Sequence, residues 1–308
     1  MITFESLNNF KSFPDTVLTI GNYDGIHLGH RKIIEKVRTH AAEISGTSML
    51  MTFNPHPLSV LRPDNHLGLI TPVNVKKRLI EESGIDVLLL LPFTDEFRFT
   101  EPEAFVENIL VGMLGIKRLV VGYDFKFGKG GKGNIEILRT LSGRFGFFFE
   151  IVEAITLNDE KIGSNRIRKL IMAGDVKKAE VFLGRPYIME GRVSRGYGRG
   201  GGIGFPTINI VTEFEVIPKN GVYISEVRVD NKTYQSVTNI GYNPTFNNKE
   251  SSIETFILDF SDNLYGKEVS LYFHELIRDE IKFNNADDLK HRISMDVQIA
   301  RSYFERAG

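Results

Sequence analysis

Gly21-Asn22-Tyr23-Asp24-Gly25-Ile26-His27-Leu28-Gly29-His30-Arg31 stands between an apolar run at 17–20 and a helical pattern over about 28–45. A strand that turns sharply at two glycines and re-emerges as a helix leaves backbone N–H groups unpaired at the turn. The positive end of the helix dipole adds to them, so the place favours a phosphate. His27 and His30 are three apart, which puts both imidazoles on one face at the helix start. From there they can stabilise negative charge growing on phosphorus in a transition state. A bare His-x-x-His spacing is common by chance. The preceding strand, the turn glycines, Asp24 and the following helix are what give it meaning here.

Working outward, short apolar runs at 17–20, 48–53, 87–92, 119–121 and 147–152 alternate with helical patterns at 28–45, 73–83, 102–114 and 134–144. Runs such as Val87-Leu88-Leu89-Leu90-Leu91 suit strands buried on both faces. The alternation predicts an α/β unit with a parallel sheet and helices on both sides. Ligands of such sheets bind beyond the carboxyl ends of the strands, where the opening turn falls. Two more loops belong to that edge. Asn54-Pro55-His56-Pro57 is a rigid turn carrying polar groups. The loop 122–133 joins Asp124 to five further glycines and to Lys126, Lys129 and Lys132, which frees the backbone to approach an anion. It is not a P-loop, because no Lys-Ser or Lys-Thr closes a G-x4-G spacing.

Helical patterns over 164–183 break at Gly174 and Gly184, with Asp175 as the N-cap of the second, and Gly184-Arg185-Pro186 then ends the pattern. The domain boundary is placed there, giving domains 1–184 and 185–308. Beyond it, short strands at 188–194, 208–212, 222–229, 234–240, 253–260 and 269–277 predict an antiparallel barrel or sandwich. The chain closes on an amphipathic helix with Leu289, Ile293, Val297, Ala300 and Phe304 on one stripe and Asn285 as N-cap. The run 196–201 matches G-x-G-x-x-G, but strands follow it and no helix does, so a dinucleotide fingerprint is rejected. A phosphate-covering flap with Arg195, Gly196 and Arg199 fits better. After the flap, Thr207 and Asn209 share a strand face by period two, and their oxygens suit a hard cation such as Mg²⁺. Glu254 shares a face with Phe256, Leu258 and Phe260, a costly place for a carboxylate without a partner or a task.

At 308 residues the chain is long enough for two domains. A formal net charge of −1 provides no basic field for nucleic acid or an anionic membrane. The absence of cysteine excludes disulfides and thiolate metal sites and fits a reducing compartment. No apolar run approaches the ~20 residues of a membrane span, and the N-terminus has no basic segment followed by an apolar core. The expectation is a cytoplasmic protein whose partners are small molecules. The oligomeric state is not encoded in any pattern seen.

Together these segments resemble the bifunctional bacterial riboflavin kinase/FMN adenylyltransferase (FAD synthetase) family. The resemblance rests on GNYDGIHLGH at 21–30, TFNPHP at 52–57, GYDFKFG at 122–128, NRIRKLIMAGDVKKAEVFLGRPY at 165–187, GFPTIN at 204–209, NIGYNPTF at 239–246, IETFILDF at 253–260, NLYG at 263–266 and LIRDEIKF at 276–283. It implies a Rossmann-like nucleotidyltransferase domain followed by a β-barrel riboflavin kinase domain with a terminal helix. It implies two reactions, phosphorylation of riboflavin by ATP to FMN and adenylylation of FMN by a second ATP to FAD. By resemblance, Thr207 and Asn209 hold Mg²⁺ and phosphate, Glu254 accepts the proton of the riboflavin alcohol, and Arg195 and Gly196 approach nucleotide or flavin. His27 and His30 stabilise the adenylyl transfer, and Gly21, Asn22, Asp24, Asn54, Ser164 and Arg168 bind its ATP. Asp124 and Lys126 lie by flavin or phosphate.

Four departures from the family pattern stand out. Where the family commonly has I-S-S-T-x-I-R, this chain has Ile162-Gly163-Ser164-Asn165-Arg166-Ile167-Arg168. R-G-R becomes Arg199-Gly200-Gly201, PTAN becomes Pro206-Thr207-Ile208-Asn209, and a frequent histidine is Phe256. The first of these leaves open a kinase with slowed adenylyltransferase activity, and a non-catalytic flavin- or nucleotide-binding regulator is the alternative from another class.

Overall fold

The structure is a computed structural model that describes residues 1–8, 10–64, 68–195, 204–242, 251–283 and 285–307. It divides into two compact units, Met1–Gly163 and Ser164–Gly308. The flap segment with Gly196 and Arg199, and residues 243–246 of the NIGYNPTF run, lie outside the described residues.

The first unit is a six-stranded parallel sheet built from β1 (Ile2–Phe4), β2 (Thr16–Ile20), β3 (Ser48–Phe53), β4 (Val87–Leu91), β5 (Ile116–Gly122) and β6 (Phe148–Val152), in the order β1-β4-β3-β2-β5-β6. β2, β3 and β4 are buried along their whole length, as near-continuous apolar runs require when helices cover both faces. The chain steps outward from β2 to β3 to β4, then returns to the other side of β2 at β5. The strand order therefore reverses between β2 and β5, and the crevice beyond their carboxyl ends is the expected ligand position. Helix α1 (Leu28–Glu43) leaves that point and buries Ile34, Val37 and Ala41 at helical spacing.

Around this frame run α2 (Pro57–Leu61), α3 (Val73–Glu82), α4 (Asp95–Phe99), α5 (Pro102–Ala104) and α6 (Ile135–Phe145). The pattern over 102–114 predicts one α-helix, but from Phe105 to Met113 the turns widen into a π-helix, with Leu114 N–H donating to Ile109 O at 2.9 Å. The wider turn lets Phe105 and Leu110, five apart, both enter the core. The short edge strand β1 and the hairpin β7 (Thr156–Leu157) and β8 (Glu160–Lys161) carry too few residues for periodicity to reveal them.

In the second unit β9 (Tyr187–Ser194), β10 (Thr207–Val211), β11 (Gly221–Val229), β12 (Lys232–Tyr242), β13 (Ser251–Ile257) and β14 (Glu268–Arg278) close an antiparallel barrel in the order β10-β13-β12-β11-β14-β9. Closure, not a sandwich, is the outcome, because β9 pairs with both β10 and β14. The β11–β12 hairpin turns through Asp230 and Asn231 at φ +50° and +62°, the primed turn that matches strand twist. β13 ends at Ile257, earlier than its apolar alternation suggests, and Asp259 follows at φ +54°. Helix α9 (Ala286–Ala307) begins on Asn285, whose Oδ1 accepts the Asp288 N–H at 2.8 Å. From its expected stripe Val297, Ala300 and Phe304 pack on Val222, Ile224, Val237 and Leu258.

Helices α7 (Ser164–Met172) and α8 (Val176–Leu183) belong to this second compact unit, whereas the sequence reading places them before a boundary at 184. The cause is the apolar stripe Val176, Ala179, Phe182 and Leu183, with which α8 packs on β9 and β14.

Candidate active sites

The turn after β2 is held by polar contacts to two neighbours. Gly21 N–H donates to Met51 O at 3.1 Å. Asn22 O accepts from Thr52 Oγ1 at 3.1 Å and from Lys76 Nζ at 3.0 Å. The Asp24 carboxylate, 1% exposed, accepts the N–H groups of Ile70 and Thr71 at 3.0 and 3.1 Å. Thr71 Oγ1 in turn accepts Gly25 N–H at 3.1 Å. Asp24 is thus a structural clasp between the turn and the segment leading into α3. Tyr23, Gly25 and Ile26 all have left-handed backbone angles, φ +50°, +87° and +42°. Such angles gather successive N–H groups on one side, as in anion-binding nests.

His27 is the N-cap of α1, and His30 is the third residue of that helix. Nδ1 of His27 accepts the His30 N–H at 3.3 Å, so a neutral His27 carries its proton on Nε2. The rings stack, centroids 3.7 Å apart and planes 13° from parallel. A Cβ on Gly29 would meet His27 Cε1 at 3.1 Å and Nδ1 at 3.2 Å, so glycine between the histidines makes room for the folded-back ring. Burial pulls the His30 pKa well below the usual histidine value, and the neighbouring charges of His27 and Lys76 push it the same way. Nδ1 of His30 is buried with no hydrogen-bond partner. A polyphosphate beside the pair opposes that depression, since negative charge favours imidazolium.

The other expected residues of this unit stand on the same sheet edge. Asn54 follows β3 and is exposed, its N–H donating to Leu91 O at 2.9 Å. Asp124 and Lys126 are exposed in the loop after β5, and Asp124 Oδ1 lies over Gly122. The loop closes on itself through a Phe127–Gly133 bridge. Sequence reasoning missed an aromatic chain along this edge. Phe53 meets Phe97 at 5.1 Å, Phe97 meets Phe105 at 5.6 Å, Phe105 meets Phe127 at 5.8 Å, and Phe127 stacks on Phe125 at 5.4 Å. In the sequence it appears only as scattered phenylalanines, Phe53 closing β3, Phe97 and Phe105 in helical segments, and Phe125 and Phe127 soon after β5. Lys76 was missed as well, because lysines in the middle of a helix are ordinarily solvated.

In the second unit, Ser164 opens α7, and Arg168, 8% exposed, donates to Asn165 Oδ1 at 2.7 Å. Asn165, one of the departures, therefore holds the guanidinium next to it. On the barrel, Thr207 lies opposite Phe256 and Asn209 opposite Glu254 in the β10–β13 register. Glu254 also lies opposite Asn239 of β12, and Asn209 opposite Ser194 of β9. Directly opposed residues share a face, so Ser194, Asn209, Glu254 and Asn239 form one polar row, with Thr207 and Phe256 in the next. Asn239, which opens the NIGYNPTF run, sits one strand beyond the expected set, and the register is what joins it to the row. Ile208 lies opposite Thr255 on the other face. Glu254 is half-buried and accepts from Ser252 Oγ at 3.2 Å. Arg195 follows β9 and lies over the Tyr265 ring at 5.9 Å. Among the described residues no three His, Asp or Glu side chains could by themselves hold a metal ion.

Residues 10–166 match the family model described as FAD synthetase, and residues 183–304 the one described as riboflavin kinase. The chain belongs to the bifunctional riboflavin kinase/FMN adenylyltransferase family. It is 39% identical to the family member of Bacillus subtilis, covering 94% of this chain and 92% of that one. It is 37% identical to the Haemophilus influenzae member, covering 93% and 94%, and 32% identical to that of Escherichia coli K12, covering 99% and 98%. A solved Streptococcus pneumoniae chain described as a macrolide-efflux protein is 31% identical, with a TM-score of 0.90 and coverage of 97% and 98%. Among the described residues, no helix here is long and apolar enough to cross a membrane. The two family matches leave most of α7 and α8 between them.

Proposed function

We propose that the two units perform the two successive steps of flavin cofactor synthesis. In the barrel, the 5′-hydroxyl of riboflavin attacks the γ-phosphorus of ATP, Glu254 takes the hydroxyl proton, and the bond to the ADP oxygen breaks, giving FMN. Phosphoryl transfer of this kind depends on positioning and charge neutralisation more than on a strong base. Thr207 Oγ1 and Asn209 Oδ1 are hard oxygen donors suited to Mg²⁺. That ion usually takes one or two protein ligands and completes its shell with phosphates and water, so no all-protein cage is needed. When bound, Mg²⁺ supplies charge neutralisation on the phosphates. Arg195 and Gly196 are assigned to the same nucleotide or flavin by sequence likeness.

In the first unit, the FMN phosphate oxygen attacks the α-phosphorus of ATP and pyrophosphate leaves, giving FAD. The nucleophile is already an anion, so His27 and His30 act as hydrogen-bond and charge stabilisers of the in-line transition state. Gly21 and Asn22 line the phosphate, the Tyr23 N–H turns toward it, Asp24 braces the turn beside the nucleotide, and Asn54 positions nucleotide. Asp124 and Lys126 approach flavin or phosphate, and Phe97 and Phe125, the partly exposed members of the phenylalanine chain, offer the flat ring an aromatic contact. Ser164 and Arg168 are assigned to the ATP of this step on sequence likeness alone. The functional boundary is kept at 184. The work is done in the cytoplasm on small molecules, without nucleic acid or membrane.

The observation that carries this reading is the coexistence of the stacked His27–His30 pair at the sheet's reversal point with the Asn209–Glu254 pair on the barrel. The test is to incubate the protein with riboflavin, ATP and Mg²⁺ and resolve FMN from FAD by chromatography. Glu254→Ala is expected to stop FMN formation and still convert supplied FMN to FAD, and His30→Ala to do the reverse. Loss of both activities in either folded variant would overturn the two-site division. A second reading, a kinase with slowed adenylyltransferase activity, is favoured by the Asn165–Arg168 contact. It is distinguished by FMN accumulating without FAD in the unmodified protein.

A further inference from the structure

Lys76 is an unusual lysine. It lies in the middle of α3, yet its residue is only 3% exposed. A buried ammonium must be compensated, and here Nζ donates to the backbone carbonyl of Asn22 at 3.0 Å, within the turn that precedes the histidines. The same carbonyl accepts Thr52 Oγ1 at 3.1 Å, so both of its lone pairs are engaged from the core side. In a trans peptide the N–H points opposite to the C=O. Two donors pulling Asn22 O inward therefore turn the Tyr23 N–H outward, toward the side on which phosphate is expected. The Asp24 carboxylate offsets part of the cost of burying the charge, while burial still draws the ammonium pKa down. The pull of Lys76 also reaches His30, whose protonation it opposes.

We infer that Lys76 is a positioning residue for the nucleotidyl transfer, its ammonium fixing the Asn22–Tyr23 peptide plane and thereby aiming the turn and the His27–His30 pair at the transferred phosphate. This rests on the adenylyltransferase reading of the first unit. The groups that face His30 are His27 and Tyr23 from its own turn and Lys76 from α3, and Lys76 in turn feels the Asp24 carboxylate. Lys76 is the one fixed cation among them. It does not touch the reacting atoms. Its effect is geometric through Asn22 and electrostatic through His30.

The experiment compares the full chain with Lys76→Met, which keeps length and removes the donor, and Lys76→Arg, which keeps charge. FMN-to-FAD conversion and riboflavin-to-FMN conversion are measured on the same preparations. Lys76→Met is expected to lower kcat for FAD formation about tenfold to a hundredfold, the scale of a small misplacement of reacting groups. KM for ATP should change less than about threefold by the same reasoning, since binding groups are retained. Kinase activity is unchanged, and the step in the FAD pH profile that follows His30 moves to higher pH, because His30 protonates more readily once Lys76 is gone. Lys76→Arg recovers the pH profile in whole or in part. FAD formation kept within about twofold of the parent, or a loss that only follows the unfolded fraction with an unmoved pH profile, would overturn the inference. If Lys76→Met does not fold, Thr52→Val removes the other donor to the same carbonyl and must lower kcat without raising KM. An unmodified protein that makes no FAD would instead defeat the adenylyltransferase reading itself.

Discussion

The backbone N–H of His30 donates to Nδ1 of His27 at 3.3 Å while the two imidazole rings stack 3.7 Å apart. One ring is thereby both the cap of the helix and the platform for the second ring. A cation on both at once is disfavoured, and burial already holds His30 neutral below its ordinary value of 6.5.

This has a consequence for stability. The folded pKa of His30 is lowered, so on acidification the unfolded chain takes up its proton first. Stability is fully present above about pH 6.5 and falls as pH drops through that value, until the lower native pKa is passed. The slope attributable to one proton is about 1.4 kcal/mol per pH unit. Calorimetric unfolding of the first unit across pH 5–8 is expected to show this slope in the parent and a smaller one in His30→Phe. Equal slopes in both would show that His30 does not titrate as described.

Gly29 carries the next prediction. Gly29→Ala places a methyl about 3 Å from the His27 ring, which must swing away and release the cap. Loss of an N-cap costs about 1 kcal/mol, a modest effect on folding. The effect on chemistry is larger, because displacing the ring by about an ångström costs up to a hundredfold. FAD formation is expected to fall at least tenfold while FMN formation is untouched. A variant with parental FAD output would mean that the ring has room to spare.

The sequence and the structure agree where the physics is local. The apolar runs at 17–20, 48–53 and 87–92 form strands buried on both faces, the last ending at Leu91, and Asp175 and Asn285 cap the helices that follow them. What stayed hidden depends on long-range partners. β1 is three residues long and is a strand only because β4 pairs with it. A row such as Asn209–Glu254–Asn239 exists only once three strands are in register. Lys76 reads as a solvated helix residue until the turn at Asn22 folds over it. The choice between barrel and sandwich turned on the pairing of β9 with β10, which no periodicity encodes.

Inside the barrel, Ser225, Ser236, Thr238 and Thr255 are fully buried and bond to one another, Thr238 to Ser225 at 2.7 Å and to Thr255 at 2.9 Å. Thr238→Val keeps the shape and removes the hydroxyl from the middle of the chain. Ser225 retains its bond to Ser236 at 2.8 Å, so Thr255 bears the loss. The expected cost is about 1–3 kcal/mol for one buried hydroxyl left unpaired, read as a lower urea midpoint of the second unit. Adding Thr255→Val should recover part of it, because an apolar pair has nothing left to satisfy. If the double variant is less stable than the single one, packing and not hydrogen bonding dominates there.

Helix α9 is fastened to the barrel through Asp296, 1% exposed, which accepts from Arg278 Nε at 3.0 Å and Nη2 at 2.7 Å. Arg278 is nearly buried itself, so removing the carboxylate strands a guanidinium with little water to turn to. Asp296→Leu is expected to destabilise the second unit by about 3–5 kcal/mol. Arg278→Met in the same chain should return most of that loss, since replacing a buried pair by apolar groups is often neutral. The stripe Val297, Ala300 and Phe304 lies against Val222, Ile224 and Val237 on the strand face that also carries Asn239 and Glu254. A loosened α9 therefore exposes the kinase face, and thermal inactivation of FMN formation should quicken in Asp296→Leu while FAD formation from supplied FMN keeps its parental half-life. Equal acceleration of both would place the effect of Asp296 on the whole chain instead of on the barrel.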